Sequence, residues 1–166
     1  AGLILLGNID LDSSKRPLNN HYFEELPEVF QDHALIDRFH GFIEGWYLPR
    51  INEDLKLNGY SLNVEYFSEI LSYVRTQSFY SAIVKEFLVV PKNADTRDTN
   101  AVIKMCSAYL KLLYPHVRNA SEISPQEFKR ICFDPAFEKR KIVRQQLAAI
   151  DREFTDRMPD IKIRGL

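Results

Sequence analysis

Arg38 is the side chain in this 166-residue sequence whose position most suggests chemistry. It follows a short apolar turn, residues 34–36, and precedes a strand-like segment, residues 42–48. One interpretation is a solvated arginine beside a core phenylalanine, Phe39. The other is an arginine finger, a planar and permanently charged fork that reaches a phosphate on a neighbouring subunit. On spacing alone the solvated arginine is favoured, because short patterns often match by chance.

Two further polar side chains occupy positions that suggest a ligand. Asn8 follows an apolar run, residues 3–6, which predicts a strand buried on both faces. Ligands of open α/β sheets lie beyond the carboxyl ends of strands, so Asn8 is a candidate polar contact; an asparagine that closes a turn is the alternative. Arg97 falls in the first turn of a predicted helix, where the helix dipole slightly disfavours a cation. This placement suggests a phosphate partner for Arg97, and an exposed arginine is the alternative.

The rest of the sequence gives no indication of a metal site or of a membrane span. Two cysteines and four scattered histidines give no metal-ligand spacing. Cys106 and Cys132 both lie in apolar, helix-like settings, which predicts buried free thiols in a reducing, cytoplasmic location. No apolar run approaches the 18 residues that a membrane span needs.

The charge is distributed unevenly along the chain. The net charge is −1 overall, but residues 1–61 are acidic and residues 124–166 are mildly basic. That surplus is too weak to predict nucleic-acid binding by itself.

A helical periodicity begins after about sixty residues. Asp95 or Thr96 is the predicted start of one helix, which ends before Pro115. Ser124 begins a capping box with proline at the first helical position, and Pro135 restarts or kinks the helix that follows. Another helix is predicted from an apolar stripe formed by Phe67, Ile70, Leu71 and Val74.

The predicted organisation has three parts. Residues 1–60 carry the two predicted strands, residues 61–155 are helical, and residues 156–166 form a linker with a short strand at 161–163. A fully buried strand needs neighbouring strands on both sides, and few other strands are predicted in the chain. We therefore expect a piece of a longer protein, with a mainly α fold and an incomplete sheet.

The order of these features resembles the carboxyl half of an AAA+ ATPase module. The amino-acid sequence itself is similar to that of one family. This is the family of BrxL-type Lon-like ATPases of bacteriophage-exclusion (BREX) systems. Nearly the whole chain takes part, and five stretches carry the resemblance: Leu5-Leu6-Gly7-Asn8-Ile9-Asp10, Phe23-Glu24-Glu25-Leu26-Pro27, Asp37-Arg38-Phe39-His40-Gly41 with Gly45-Trp46, Arg97-Asp98-Thr99, and Leu110-Lys111-Leu112-Leu113-Tyr114-Pro115-His116.

The resemblance implies roles for the three candidates. Asn8 would be sensor 1 and orient the attacking water, Arg38 would be the finger, and Arg97 would be sensor 2, which contacts phosphates from the helical lid. Asp37 and His40 would orient the loop of the finger. The longer protein would bind ATP and Mg²⁺, form a homo-oligomeric ring around double-stranded DNA, and take part in phage defence.

Two motifs expected from this resemblance are missing from the sequence. It has no G-x-x-x-x-G-K-[ST] phosphate loop and no identifiable Ser-Lys protease dyad. We expect the chain alone neither to hydrolyse ATP nor to cut peptides. In AAA+ sheets the two predicted strands are not neighbours, so here they would rearrange, swap between chains or lie exposed. The alternative function is a stand-alone helical module that binds a protein or nucleic acid.

Overall fold

The computed structural model describes residues 2–24 and 26–166. Ala1 and Glu25, the latter part of the 23–27 stretch quoted above, lie outside the described residues. The fold is mainly α, as predicted, with one small antiparallel pair of strands. The helices are α1 (His33–Ile36), α2 (Val64–Thr76), α3 (Phe79–Phe87), α4 (Thr96–Leu113), α5 (Pro125–Phe128) and α6 (Asp134–Ile150), and the strands are β1 (Leu88–Val89) and β2 (Lys162–Ile163).

The predicted helix starts are confirmed by side-chain caps. The Asp95 carboxylate accepts hydrogen bonds from the backbone N–H groups of Arg97 and Asp98, at 2.8 and 3.0 Å. The Ser124 hydroxyl accepts from the backbone N–H of Glu127 at 3.2 Å. These caps satisfy donors that the first helical turn leaves without partners, and they fix where α4 and α5 begin.

The helix predicted to restart near Pro135 contains a π-helical segment, Lys129–Phe133, between α5 and α6. Pro135 has no N–H, and its ring would crowd the carbonyl one turn earlier. A π segment widens that turn and lets the helix continue to Ile150. Arg140 and Arg144 therefore lie on the same rigid element as Phe128.

The main core lies between α3, α4 and the α5–α6 helix. Phe87 and Phe128 stack there with ring centroids 4.4 Å apart. The terminal strand β2 pairs with β1 and contributes the buried side chains of Ile161 and Ile163. Lys162 and Ile163 thus form a strand within the predicted range 161–163, and Ile161 and Ile163 pack into this core.

A second, smaller core joins the first part of the chain to α6. Phe23 and Ile36 pack there against Val143 and Leu147, and all four side chains are buried. Apolar contact therefore crosses the predicted division at residue 60. The division into three parts stays a prediction.

The two predicted cysteine thiols are buried and free, as expected. Burial raises the pKa of the Cys132 thiol to about 12 and raises that of Cys106 above its ordinary range. Neither thiol has the thiolate character that nucleophilic catalysis requires.

The positions predicted for the strands in the first part are wrong. Residues 3–6 form no strand, and Leu6 is 95% exposed. Residues 42–48 contain a 3₁₀ turn, Gly45–Tyr47, and the Phe42 N–H donates to the Lys139 carbonyl of α6 at 3.1 Å. A strand needs a partner for its backbone groups, and the described chain provides none beside either segment.

Candidate functional site

Arg38 lies on the surface, two residues after α1 ends. Its backbone N–H donates to the Leu35 carbonyl at 3.0 Å, and its guanidinium donates to the Ala34 carbonyl. No carboxylate of the described residues forms an ion pair with it. Phe39 is half-buried beside it, with its ring 5.7 Å from that of Phe23. These surroundings are those expected of a solvated arginine beside a core phenylalanine. The exposed guanidinium is also accessible to a neighbouring molecule.

Asp37, the residue before Arg38, is buried, with a side-chain exposure of 3%. Its Oδ1 accepts from Arg140 Nη2 at 2.9 Å, and its Oδ2 accepts from Arg97 Nη1. Burial acts to raise the pKa of Asp37, but the hydrogen bonds and charges of Arg97 and Arg140 outweigh it. The pKa therefore lies below its ordinary value, and the carboxylate is charged at neutral pH.

Arg140 of α6 is the centre of the site and is fully buried. Its Nε donates to Asp98 Oδ1 at 2.7 Å. Its Nη1 donates to the backbone carbonyls of Asp37 and Phe39, at 3.1 and 2.5 Å. These carbonyls flank Arg38, so a buried guanidinium fixes the backbone on both sides of the exposed one.

Arg97 projects from the first turn of α4, with half of its side chain exposed. The hydrogen bond to Asp37 raises the pKa of Arg97 above its ordinary value. A carboxylate from another part of the chain thus offsets the unfavourable position of this cation at the helix start. The guanidinium links α4 directly to the segment that bears Arg38.

Asp98 lies one residue further along α4 and is completely buried. Its Oδ1 is paired with Arg140, and its Oδ2 lies 3.3 Å from Arg144 Nη1. That second contact lies within ion-pair distance but lacks hydrogen-bond geometry, so Oδ2 has no hydrogen-bond partner among the described residues. Burial raises the pKa of Asp98, against the opposing charges of Arg140 and Arg144.

The segment after Arg38 runs closely between α4 and α6. A Cβ atom on Gly41 would lie 2.9 Å from the Met105 side chain and 3.0 Å from Lys139 Cβ. His40 Nε2 lies 3.2 Å from Lys104 Nζ, and burial with the nearby cations lowers the pKa of His40. The imidazole is therefore neutral at physiological pH, and its Nε2 accepts a hydrogen bond from the lysine ammonium group. These contacts position the segment rather than form a catalytic pair.

Asn8 does not belong to this cluster. Its side chain is exposed, and within residues 2–24 and 26–166 it has no hydrogen bond to Arg38 or Arg97. The structure thus links Arg97 to the Arg38 segment through Asp37, and it leaves Asn8 separate.

Asp98, Arg140 and Arg144 were not among the site residues predicted from the sequence. One signal was available, because Arg140 lies four residues after the buried Ala136 and three before the buried Val143. An arginine within the apolar stripe of a helix either extends its charge to the surface or finds a buried partner. The partner, Asp37, is 103 positions away in the sequence.

The described residues contain no group of histidine, cysteine, aspartate or glutamate side chains that could hold a metal ion. Arg38 and Arg97 are exposed cations of the kind that bind phosphate oxygens. The chemistry of the site thus fits contact with a nucleotide's phosphates, whereas the backbone cradle for those phosphates is absent from the sequence. Among the described helices, none is long and apolar enough to cross a membrane.

Comparison with known proteins gives consistent matches. Residues 1–160 match the family described as Lon-like protease BrxL-like, ATPase domain. The chain is 32% identical over 157 residues to the Lon-like protease BrxL of Escherichia coli O9:H4 (strain HS), which covers 94% of the chain and 22% of that protein. It is 34% identical over 117 residues to the Lon-like protease BrxL of Bacillus cereus (strain H3081.97), covering 70% of the chain and 17% of that protein.

The chain thus spans about a fifth of the length of the curated relatives it matches. The family match covers the residues that the structure brings together, from Asp37 of the α1 segment to Arg140 of α6. On this evidence the chain belongs to the BrxL-like family of Lon-like proteases, and it forms part of the ATPase domain of that family.

Proposed function

We propose that this chain is the carboxyl half of the ATP-hydrolysing module of a ring-forming, DNA-associated Lon-like ATPase that acts in phage exclusion. The observation that carries the proposal is the contrast between Arg38 and its flanks. The guanidinium is exposed and forms no ion pair with a carboxylate of the described residues, while a buried arginine holds the carbonyls on both sides of it. A cation on a fixed backbone is pre-organised to stabilise charge on a transferring phosphoryl group.

In this proposal the three candidates divide the work on one nucleotide. Arg38 reaches the ATP of the adjacent subunit, Arg97 contacts the phosphates in its own subunit, and Asn8 orients the attacking water. An ATPase-domain family implies nucleotide binding in general. The phosphate loop and the residues that hold Mg²⁺ would belong to another part of the longer protein, so the chain alone would be inactive.

The alternative, a stand-alone module that binds nucleic acid through its basic last third, has less support. Two of the cations in residues 124–166, Arg140 and Arg144, are buried against Asp37 and Asp98. They do not contribute to a basic surface. Double-stranded DNA as a partner of the whole ring and a cytoplasmic location remain parts of the proposal for the longer protein.

The test is ATP turnover by the full-length protein with Arg38→Ala. We expect turnover to fall by ~10³-fold or more, because the finger acts on charge that develops in the transition state. ATP affinity should stay nearly unchanged, and Arg38→Lys should not restore turnover, since an ammonium group cannot reproduce the planar fork. Arg50→Ala, at another exposed arginine, is the matched control.

Mixing experiments test whether Arg38 acts across the subunit boundary. Arg38→Ala subunits are combined with subunits that lack the phosphate-loop lysine. Mixed rings contain some interfaces with an intact loop and an intact finger, so turnover should partly return at intermediate ratios. Equal turnover of Arg38→Ala and Arg50→Ala, or a flat profile near zero on mixing, would remove Arg38 from this role.

A further inference from the structure

Asp37 and Arg38 are consecutive residues with opposite surroundings. Asp37 is buried and doubly paired, whereas Arg38 is exposed. One peptide unit joins them, so a change in how the Asp37 side chain is held is transmitted to the backbone of Arg38. The two partners of Asp37 come from different helices, Arg97 from α4 and Arg140 from α6.

These two partners differ in how readily they can leave. Arg140 is fully buried and makes four hydrogen bonds, to Asp98, to Phe39 and to Asp37. Arg97 is half exposed, and its guanidinium is bonded to Asp37 alone among the described residues. An anion that arrives from solvent can reach Arg97 but not Arg140. The bond between Arg97 and Asp37 is therefore the exchangeable one.

We propose that Asp37 is a positioning residue that competes with nucleotide phosphate for Arg97, and that its displacement by phosphate loosens the segment bearing Arg38. This inference rests on the proposed function, in which Arg97 contacts phosphate. A guanidinium prefers a phosphate that offers several oxygens, and Asp37 keeps its pairing with Arg140 after the exchange. Nucleotide occupancy of one subunit thereby changes the support of the finger that the same subunit offers its neighbour.

The Asp37→Asn variant distinguishes competition from a purely structural role by the direction in which the affinity for ATP changes. Asparagine keeps one oxygen for Arg140, but it presents an amide N–H to Arg97, and two donors do not attract each other. The change therefore releases Arg97 without enlarging or emptying the site. A purely structural Asp37 would weaken ATP binding when substituted, whereas a competing Asp37 would strengthen it.

The experiment measures the Kd for ATP of the full-length protein without Mg²⁺, so that no turnover occurs. We compare wild type, Asp37→Asn, Arg97→Ala and the double variant. We expect Asp37→Asn to bind ATP about three- to tenfold more tightly, the size of a partly exposed ion pair. Arg97→Ala should weaken binding, and the double variant should show no gain over Arg97→Ala.

The outcomes separate the two levels of the proposal. If Arg97→Ala leaves the Kd unchanged, the proposed role of Arg97 in phosphate binding fails. If Arg97→Ala weakens binding but Asp37→Asn leaves the Kd unchanged or raises it, the competition is wrong and the proposed function stands.

The Asp37→Asn variant is used only if it folds, as judged by cooperative unfolding. If it does not, a second measurement that leaves Asp37 unchanged tests the inference. Amide hydrogen exchange of Arg38 and Phe39 is followed in the 166-residue chain, with millimolar tripolyphosphate or sodium chloride of equal ionic strength. Both amides donate to carbonyls of α1, at 3.0 and 2.9 Å. Tripolyphosphate should accelerate their exchange several-fold in wild type and not in Arg97→Ala. Unchanged or slower exchange in wild type would overturn the inference.

Discussion

Arg140 places a positive charge where no water can reach it, and its four hydrogen bonds replace the lost hydration. Asp98 and Asp37 are buried with it, at side-chain exposures of 0% and 3%. Removing one member of such a cluster leaves the opposite charges without compensation in a poorly polarisable environment. The integrity of the cluster therefore depends on each of its members.

We expect Arg140→Ala to lower the free energy of unfolding by about 3–5 kcal/mol, the usual cost of breaking a buried ion pair. Lys141→Ala is the matched control, because among the described residues the Lys141 side chain forms a surface ion pair with Glu138 alone, at 3.3 Å. Its loss should change stability by about 1 kcal/mol or less. Urea unfolding of the 166-residue chain measures both values. Similar values for the two variants would show that the buried cluster contributes no more than a surface pair.

The lowered pKa of Asp37 predicts a pH dependence with a definite sign. Its folded pKa lies below the ordinary 3.8, so the ionised carboxylate stabilises the fold fully above that value. This stabilisation is lost as the pH falls below 3.8 towards the folded pKa. Asparagine at position 37 does not titrate. The stability advantage of wild type over Asp37→Asn should therefore shrink on acidification.

Urea unfolding of both variants between pH 3 and pH 7 measures this difference. Comparing the two proteins at each pH largely removes the contribution of Asp98, whose pKa moves in the opposite direction. An advantage that stays constant, or that grows as the pH falls, would mean that Asp37 is not held as a stabilised carboxylate.

At the scale of elements, the close approach at Gly41 fixes where the Arg38 segment passes between α4 and α6. We expect Gly41→Ala to cost about 1–3 kcal/mol, because a methyl group would overpack against Met105 and Lys139. Met105 can adjust, but the Lys139 contact involves Cβ, which moves only with the helix. Gly45→Ala is the control, since a Cβ there would meet nothing within 4 Å. Thermal unfolding should separate the two, and equal melting temperatures would contradict the tight passage.

The elements differ in how far the sequence predicts them. The starts of α4 and α5 depend on local caps, Asp95 and Ser124, so the sequence predicts them well. Residues 3–6 carry an equally clear apolar pattern, but a strand also needs a partner, which depends on distant parts of a chain. The same limit applies to the site. Arg38 and Arg97 stand at recognisable element boundaries, whereas their link through Asp37 and Arg140 arises only from tertiary packing.

At the scale of the whole molecule, the charge asymmetry of the sequence is partly resolved by folding. The acidic first part supplies Asp37 to Arg140, and His33 lies 3.2 Å from Asp151 near the end of α6. The Gln146 side chain also bonds to the backbone of Asn20 and Tyr22, each at 2.7 Å. The first part is therefore attached to α6 by polar and apolar contacts at several levels along the helix.

This attachment makes a prediction for residues 61–166 expressed alone. The capped helices and the core around Phe87 and Phe128 should still form, so circular dichroism should show strong helicity and cooperative unfolding. Without Phe23 and Ile36, however, Val143 and Leu147 become exposed, and Arg140 loses Asp37. Burial of two such apolar side chains contributes about 3–6 kcal/mol.

For a domain of this size, such a loss lowers Tm by on the order of 20 °C. A chain that lacks only residues 1–18 is the control, because it retains the contacts that Asn20, Tyr22 and Phe23 make with α6. Its Tm should fall by a much smaller amount. If residues 61–166 melted at the temperature of the whole chain, the first part would be an appendage, and α6 would not need it to hold Arg140. A random-coil spectrum would instead mean that the helical part cannot fold without Phe23 and Ile36.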